Sequence, residues 1–283
     1  MRGRRWTWVD ASLPRCQVRA PRVHSQPVPD RPTPRSAPVI APGWINSEGA
    51  PRDAVDRIYA GSLDGVLLRR VLTREECAAA MAEVGRFDTW QEVYHDPDAP
   101  KTIGTMLSPS PIHPDGPPPD VYFQHAEADA RWVQTALHPL LPRLEAQLSS
   151  LSGERDVRVL NQPREHRCAT VRLMDVGYGA PDHVDAYRNS PGLASLFDYT
   201  DRRTQLSWYV LLQASGTGGC LEVQARGASD RLLPVTLEVG DGVLFDGSQL
   251  RHRVTPVTSS PGRCTVGGFA GLARDDRTLY YWG

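Results

Sequence analysis

Lysine is almost missing from this 283-residue chain: of its 32 basic residues only Lys101 is lysine. So one-sided a choice of arginine reflects genome base composition and excludes nothing chemical. Cysteine is sparse and scattered. Cys16, Cys77, Cys168, Cys220 and Cys264 form no Cys-x-x-Cys pair and leave one over, so neither a disulfide framework nor a structural zinc site is expected. A reducing cytoplasm fits that pattern. Net charge is also lacking: a formal -1 gives no reason to expect nucleic acid or a membrane surface as partner. No stretch approaches the roughly 18 apolar residues of a spanning helix, and no apolar run of signal length follows the basic start Met1-Arg-Gly-Arg-Arg5.

The near-neutral total hides an uneven distribution. Residues 1–40 hold eight Arg against two Asp, or +6, so the remainder carries -1 - 6 = -7. Residues 1–55 are rich in proline and arginine with little apolar periodicity, which predicts a flexible extension unable to offset the entropy of ordering. Residues 56–283 are long enough for one catalytic domain, with a helical preface over 56–165 and a β-rich core over 166–283.

Folded sequence is expected from about Ile58. Gly65–Val71 reads as a strand, and Thr73-Arg-Glu-Glu76 as a capping box opening a helix to about Gly85. Residues 96–119 read as a proline-dense loop, and 125–149 as a helical region broken or kinked by Pro139 and Pro142. Past Arg167 the texture changes to short β-type runs separated by Gly, Asp and Ser. Strands are expected near 168–176, 205–213, 219–225, 231–238, 242–246, 251–257, 263–270 and 278–282, with turns at Gly216–Gly219 and Gly240–Gly242. The fold class is therefore mainly β with a helical N-terminal preface: a double-stranded β-helix, the cupin-like jelly roll.

Within that frame, His183-Val-Asp185 and His252 form a candidate metal site. Two imidazoles and one carboxylate can cap one face of a ferrous ion and leave the other open. A His-x-Asp triplet alone is weak, since about 0.6 are expected by chance in a chain with this His and Asp content. His113-Pro-Asp115 matches too, and His125-Ala-Glu127 is a carboxylate variant. The first has proline between its ligands, and the second falls on a helix, where i and i+2 diverge. His183 and Asp185 follow a strand at a Gly-rich bend, where extended geometry puts i and i+2 on one side. If residues 251–257 pair with 263–270 as a hairpin, His252 and Arg263 both face the barrel interior.

With Arg263 added, the set resembles the Fe(II)/2-oxoglutarate dioxygenases. Gln205–Leu212, Gly218–Val223 and Gly240–Phe245 resemble that superfamily's second strand, Gly-Gly turn and pre-histidine strand. Ser62–Val71, Ala169–Leu173, Gln205–Ser207, Val266–Phe269 and Leu279–Trp282 are similar to the freestanding hapalindole and welwitindolinone halogenases. The likeness spans about residues 58–283. Those halogenases have glycine where this chain has Asp185, and the missing carboxylate vacates the position that chloride takes. The resemblance therefore implies hydroxylation here.

It further implies iron held by His183, Asp185 and His252, O2 as oxidant, and 2-oxoglutarate as co-substrate with its far carboxylate on Arg263, helped by the Thr265 hydroxyl. Tyr187, Arg188, Asn189 and Trp208 are candidate substrate contacts. The subgroup favours a free small molecule in specialised metabolism, attacked at an unactivated C–H bond by hydroxylation, desaturation or cyclisation. A peptidyl hydroxylase of the prolyl type, a non-enzymatic cupin-like binding protein and a halogenase are the alternatives. The protein is expected to act as a monomer or homodimer.

Overall fold

Each strand run expected after Arg167 has a strand within it. The computed structural model describes residues 41–87, 91–92, 101–104, 119–185, 196–201, 205–227 and 231–283. In the helical preface, β1 is Trp44–Asn46, α1 Ala54–Tyr59, β2 Gly65–Leu68, α2 Arg74–Gly85, β3 Gln91–Glu92, β4 Lys101–Ile103, α3 Pro119–Ala136 and α4 Leu140–Leu151. The core follows with β5 Asp156–Val159, β6 Thr170–Met174, β7 Ala180–His183, β8 Leu206–Gln213, β9 Thr217–Gly218, β10 Leu221–Gln224, β11 Leu232–Val235 and β12 Gly242–Phe245. It ends with β13 His252–Val254, β14 Val257–Ser259, β15 Arg263–Leu272 and β16 Thr278–Trp282.

Among the described residues these make a ten-stranded sheet, β1-β2-β12-β8-β15-β6-β4-β3 with β16 and β5 joined beside β15, and a four-stranded sheet, β11-β10-β13-β7. The sheets are packed through a shared apolar cluster: Leu67, Val243 and Phe245 from the large one, Leu221, Val223 and Val235 from the small one. That is a jelly roll. The large sheet's other face is closed by the helices. Leu140, Leu144, Leu148 and Leu151 form one buried stripe of α4 at helical spacing, and they join Cys77, Ala80 and Val84 of α2 against Trp208, Val210, Val266 and Ala270.

The capping box is present: the Glu76 backbone N–H donates to Thr73 Oγ1 and the Thr73 N–H to Glu76 Oε2. Pro139 ends one helix and caps the next, while Pro142 sits in the first turn of α4, where a missing N–H leaves no bond unmade. Three details differ from the sequence reading. The fold starts upstream of Ile58 and inside the span assigned to the extension: Trp44–Asn46 pairs in parallel with Gly65–Leu67, and Trp44 packs on Phe245 with centroids 5.8 Å apart. A three-residue strand among prolines has too few apolar positions to show a period. Helix α3 begins at Pro119, and the span read as loop contains β4, which pairs with β6. Residues 1–40, and with them most of the assigned extension, lie outside the described residues.

Candidate metal centre and co-substrate pocket

The His-x-Asp segment and the second histidine meet because β7 and β13 are neighbours in the small sheet. His183 ends β7, His252 opens β13, and the two are register partners. Their rings lie 4.3 Å apart between centroids. His183 Nε2 is 3.4 Å from Asp185 Oδ1, and His252 Nε2 is 3.4 Å from Asp185 Oδ2. One ligand atom from each of the three residues lies within 4.8 Å of the others, a separation that one ion can bridge. Of the two decoys, His125 and Glu127 sit on α3 as expected, and His113 and Asp115 lie outside the described residues.

The backbone orients both imidazoles. His183 Nδ1 lies 2.7 Å from the Pro181 carbonyl and His252 Nδ1 lies 2.9 Å from the Leu250 carbonyl. A proton on Nδ1 in each case leaves the Nε2 lone pair free for a metal. Asp185 is held from two sides. Its N–H donates to the Gly247 carbonyl at 2.7 Å, and Ser207 Oγ donates to its Oδ2. Gly247 has no alternative here: a Cβ would strike the Ser207 hydroxyl and come within 2.6 Å of Asp185 Oδ2.

Burial opposes ionisation of Asp185, but the two imidazoles, which donate from Nε2 when protonated, and the Ser207 hydroxyl outweigh it and hold the carboxyl well below the usual range; a bound cation takes the place of those Nε2 protons. Burial pulls the His183 pKa down while Asp185 pulls it up, and the carboxylate prevails. The cluster is thus an anion between two nitrogen donors, a donor set that fits a divalent cation with open positions.

Arg263 comes from the opposite sheet. The hairpin expected between residues 251–257 and 263–270 is absent: β13 pairs with β7 and β10, while β15 pairs with β6, β8 and β16. β13 ends at Val254, short of Pro256, which lacks a ladder N–H; β14 then pairs with β9 in a separate two-stranded sheet, and the chain joins the large sheet at Arg263. The conclusion drawn from that hairpin survives by another route. Cys264 and Val266 lie in the helix-side core, so alternation turns Arg263 and Thr265 inward.

Arg263 is only 4 % exposed, and among the described residues no carboxylate pairs with it. Its guanidinium lies 5.1 Å from the centre of the Tyr209 ring and borders a cavity of about 190 Å³ lined also by Leu211, Gly219, Leu221 and Val235. Gly219 has φ +63, and its missing side chain leaves room for Arg263 Cδ, 3.1 Å from where a Cβ would stand. A buried, permanently charged guanidinium beside an open cavity is suited to an anion. The buried Tyr209 hydroxyl makes no hydrogen bond of good geometry within the chain, although the Arg263 guanidinium stands close enough to act on it; burial pushes its pKa up to about 12 against the opposing pull of that charge. Both observations fit a dicarboxylate whose far end meets Arg263 and Tyr209.

Sequence reasoning offered Trp208 of β8 as a substrate contact. Trp208 belongs to the helix-side core at 1 % exposure and donates its indole N–H to the Phe269 carbonyl, on the face turned away from Asp185 and Arg263. Its neighbours Ser207 and Tyr209 face the site instead. The alternation of Leu206, Trp208, Val210 and Leu212 carried that signal. Tyr187, Arg188 and Asn189 lie outside the described residues.

A jelly roll with this cluster at one end and a buried arginine behind it defines a 2-oxoglutarate/Fe(II) oxygenase. The model of the family described as carrier-protein-independent halogenase WelO5 matches residues 45–226 and 229–283, and the chain belongs to that family. No curated protein matches the chain by sequence. Among solved structures, an N-substituted L-amino acid dioxygenase from Burkholderia ambifaria is 15% identical at TM-score 0.50, covering 81% of this chain and 90% of that one. A 2OG-Fe(II) oxygenase family protein from Burkholderia pseudomallei is 17% identical at TM-score 0.45, covering 76% and 86%. A prolyl hydroxylase from Trichoplax adhaerens, in complex with a hypoxia inducible factor peptide fragment, is 10% identical at TM-score 0.45, covering 81% and 87%. Among the described residues no helix is long and apolar enough to cross a membrane.

Proposed function

We propose that this enzyme hydroxylates an unactivated C–H bond of a free small molecule, with desaturation and cyclisation as outcomes of the same hydrogen abstraction. The observation carrying this reading is the Asp185 carboxylate, 3.4 Å from each imidazole Nε2. When bound, iron supplies O2 activation coupled to decarboxylation of 2-oxoglutarate to succinate and CO2.

The chain's own residues bind and orient. His183, Asp185 and His252 would hold the ion and leave coordination for co-substrate and oxygen. With iron bound, Asp185 would offset one of its two charges and take up coordination that a halide needs, which favours hydroxylation over chlorination in a family described by its halogenases. Ser207 and the Gly247 carbonyl keep that carboxylate from swinging away. Arg263, with the hydroxyls of Tyr209 and Thr265, would receive the far carboxylate of 2-oxoglutarate and fix its reach toward the metal.

The test is product analysis. Protein loaded with Fe(II) and 2-oxoglutarate is offered a small-molecule panel, a proline-rich peptide set and chloride under ¹⁸O2. Succinate release coupled to a small-molecule product carrying one ¹⁸O is expected. A chlorinated product, or succinate release stimulated by the peptides alone, would overturn the reading.

A further inference from the structure

Three residues at alternate positions in and just before β8 divide the site. Leu206, Trp208, Val210 and Leu212 lie in the helix-side core, so Ser207 and Tyr209 share the inward face, and Gln205, immediately before β8, stands at the same parity. Ser207 marks the metal, through its hydrogen bond to Asp185. Tyr209, two residues on, belongs to the co-substrate end with Arg263. Gln205 lies two residues back, about 7 Å from Ser207 on the side away from Arg263.

Gln205 is 8 % exposed, and its side-chain Nε2 is buried without a hydrogen-bond partner. An amide N–H left bare in a folded interior is costly unless something outside the chain satisfies it. The residue is also fixed in place. Its backbone N–H donates to Ser248 Oγ at 3.2 Å, and that hydroxyl donates to Asp246 Oδ1 at 3.1 Å. Asp246 is paired with Arg226, and the same turn supplies the Gly247 carbonyl that holds Asp185. The segment that positions the metal carboxylate therefore also positions Gln205. Beside them, Phe269 is the cross-strand partner of Ser207 and half-buried, with its ring 6.4 Å from that of Trp282.

We propose that Gln205 is the specificity-determining polar anchor for the primary substrate: its amide donates to a neutral acceptor, such as a carbonyl oxygen, while Phe269 supplies an apolar wall. This rests on the oxygenase reading above and adds the substrate class, a largely apolar molecule with an uncharged hydrogen-bond acceptor near the oxidised carbon. Tyr209 and Arg263 are committed to the co-substrate, so the donor on the other side of the metal is left to the substrate.

The test uses matched probes on full-length protein loaded with Mn(II) and 2-oxoglutarate, where proton line broadening reports binding near the metal. Acetophenone is expected to bind about five-fold more tightly than ethylbenzene, the worth of one neutral hydrogen bond. Gln205→Leu and the near-isosteric Gln205→Met should each bring that ratio to about one while leaving co-substrate affinity and melting temperature unchanged. No acetophenone binding, equal binding of both probes to the wild type, or a preference that survives in a folded variant would overturn the proposal. The Fe(II)–2-oxoglutarate charge-transfer band separates the two failures. Its absence from wild type sinks the oxygenase reading, whereas an intact band without an acetophenone preference sinks only the role of Gln205.

Discussion

The two faces of the large sheet are made by the same strands and have opposite chemistry. Toward the helices, β6, β8 and β15 present Val171, Trp208, Val210, Val266 and Ala270, each nearly inaccessible and all in one apolar cluster. Toward the small sheet the alternate residues are Thr170, Ser207, Tyr209, Arg263 and Thr265, also buried or nearly so but polar. Thr170 and Tyr209 hold hydroxyls that make no hydrogen bond of good geometry in the chain. Burial alone does not tell fold from function here. What tells them apart is what the buried groups require: the helix-side residues of these strands are apolar and need no partner, whereas the inner face, among the described residues, holds a guanidinium without a carboxylate and hydroxyls without a hydrogen bond of good geometry.

The largest expected contrast sets one residue from each face side by side. His183→Ala or His252→Ala should weaken Fe(II) binding by about 100-fold or more, since even residues supporting a ligand are worth 10- to 100-fold. Its melting temperature should stay near wild type. Trp208→Ala should do the reverse, costing roughly 3–5 kcal/mol in denaturant unfolding while the folded fraction keeps its iron affinity. Similar stability losses in all three variants would erase the distinction between the faces.

Arg263→Ala comes next. It removes a charge-assisted contact, so 2-oxoglutarate affinity should fall about ten- to a hundred-fold by anaerobic titration, with iron affinity unchanged. Tyr209→Phe sharpens the comparison at a single atom. Its hydroxyl makes no hydrogen bond of good geometry in the chain, so the apo protein should be no less stable without it, while co-substrate binding weakens a few-fold. Lower apo stability would mean that the hydroxyl serves the fold.

The smallest effect concerns a histidine that the site does not use. His166 packs against Tyr122 and Phe123, and burial pushes its pKa down to about 4 despite hydrogen bonds with the Leu160 and Arg164 carbonyls. The unfolded chain then takes up that proton first. The stability this group contributes is complete above about pH 6.5 and is lost as the pH falls toward 4, by at most about 3 kcal/mol. His166→Asn should flatten that part of the stability profile; an unchanged slope between pH 6.5 and 4 would contradict the assignment.

The sequence made one face legible and left much of the other to tertiary structure. Strands such as 206–213 and 263–272 were readable because their core face alternates strictly. The metal triad was readable from ligand types and chain order. Strand β7, Ala180-Pro-Asp-His183, has no apolar alternation, and its pairing with β13 is a long-range choice that no local pattern encodes. The same limit produced the mistaken hairpin for Arg263. Ser207, Tyr209 and Gln205 were present in the very segment used to argue the family, yet a single aromatic, Trp208, drew the functional assignment to the core-facing parity. Gly247 gives no sign in sequence that it makes room for a carboxylate.

The central claim is that the inner face joins a ferrous ion and 2-oxoglutarate in one site. Anaerobic titration of folded protein with Fe(II) and then 2-oxoglutarate tests it most directly. The account predicts a weak visible charge-transfer band that saturates with the oxoacid and needs more of it in Arg263→Ala. Folded wild-type protein that develops no such band would contradict it.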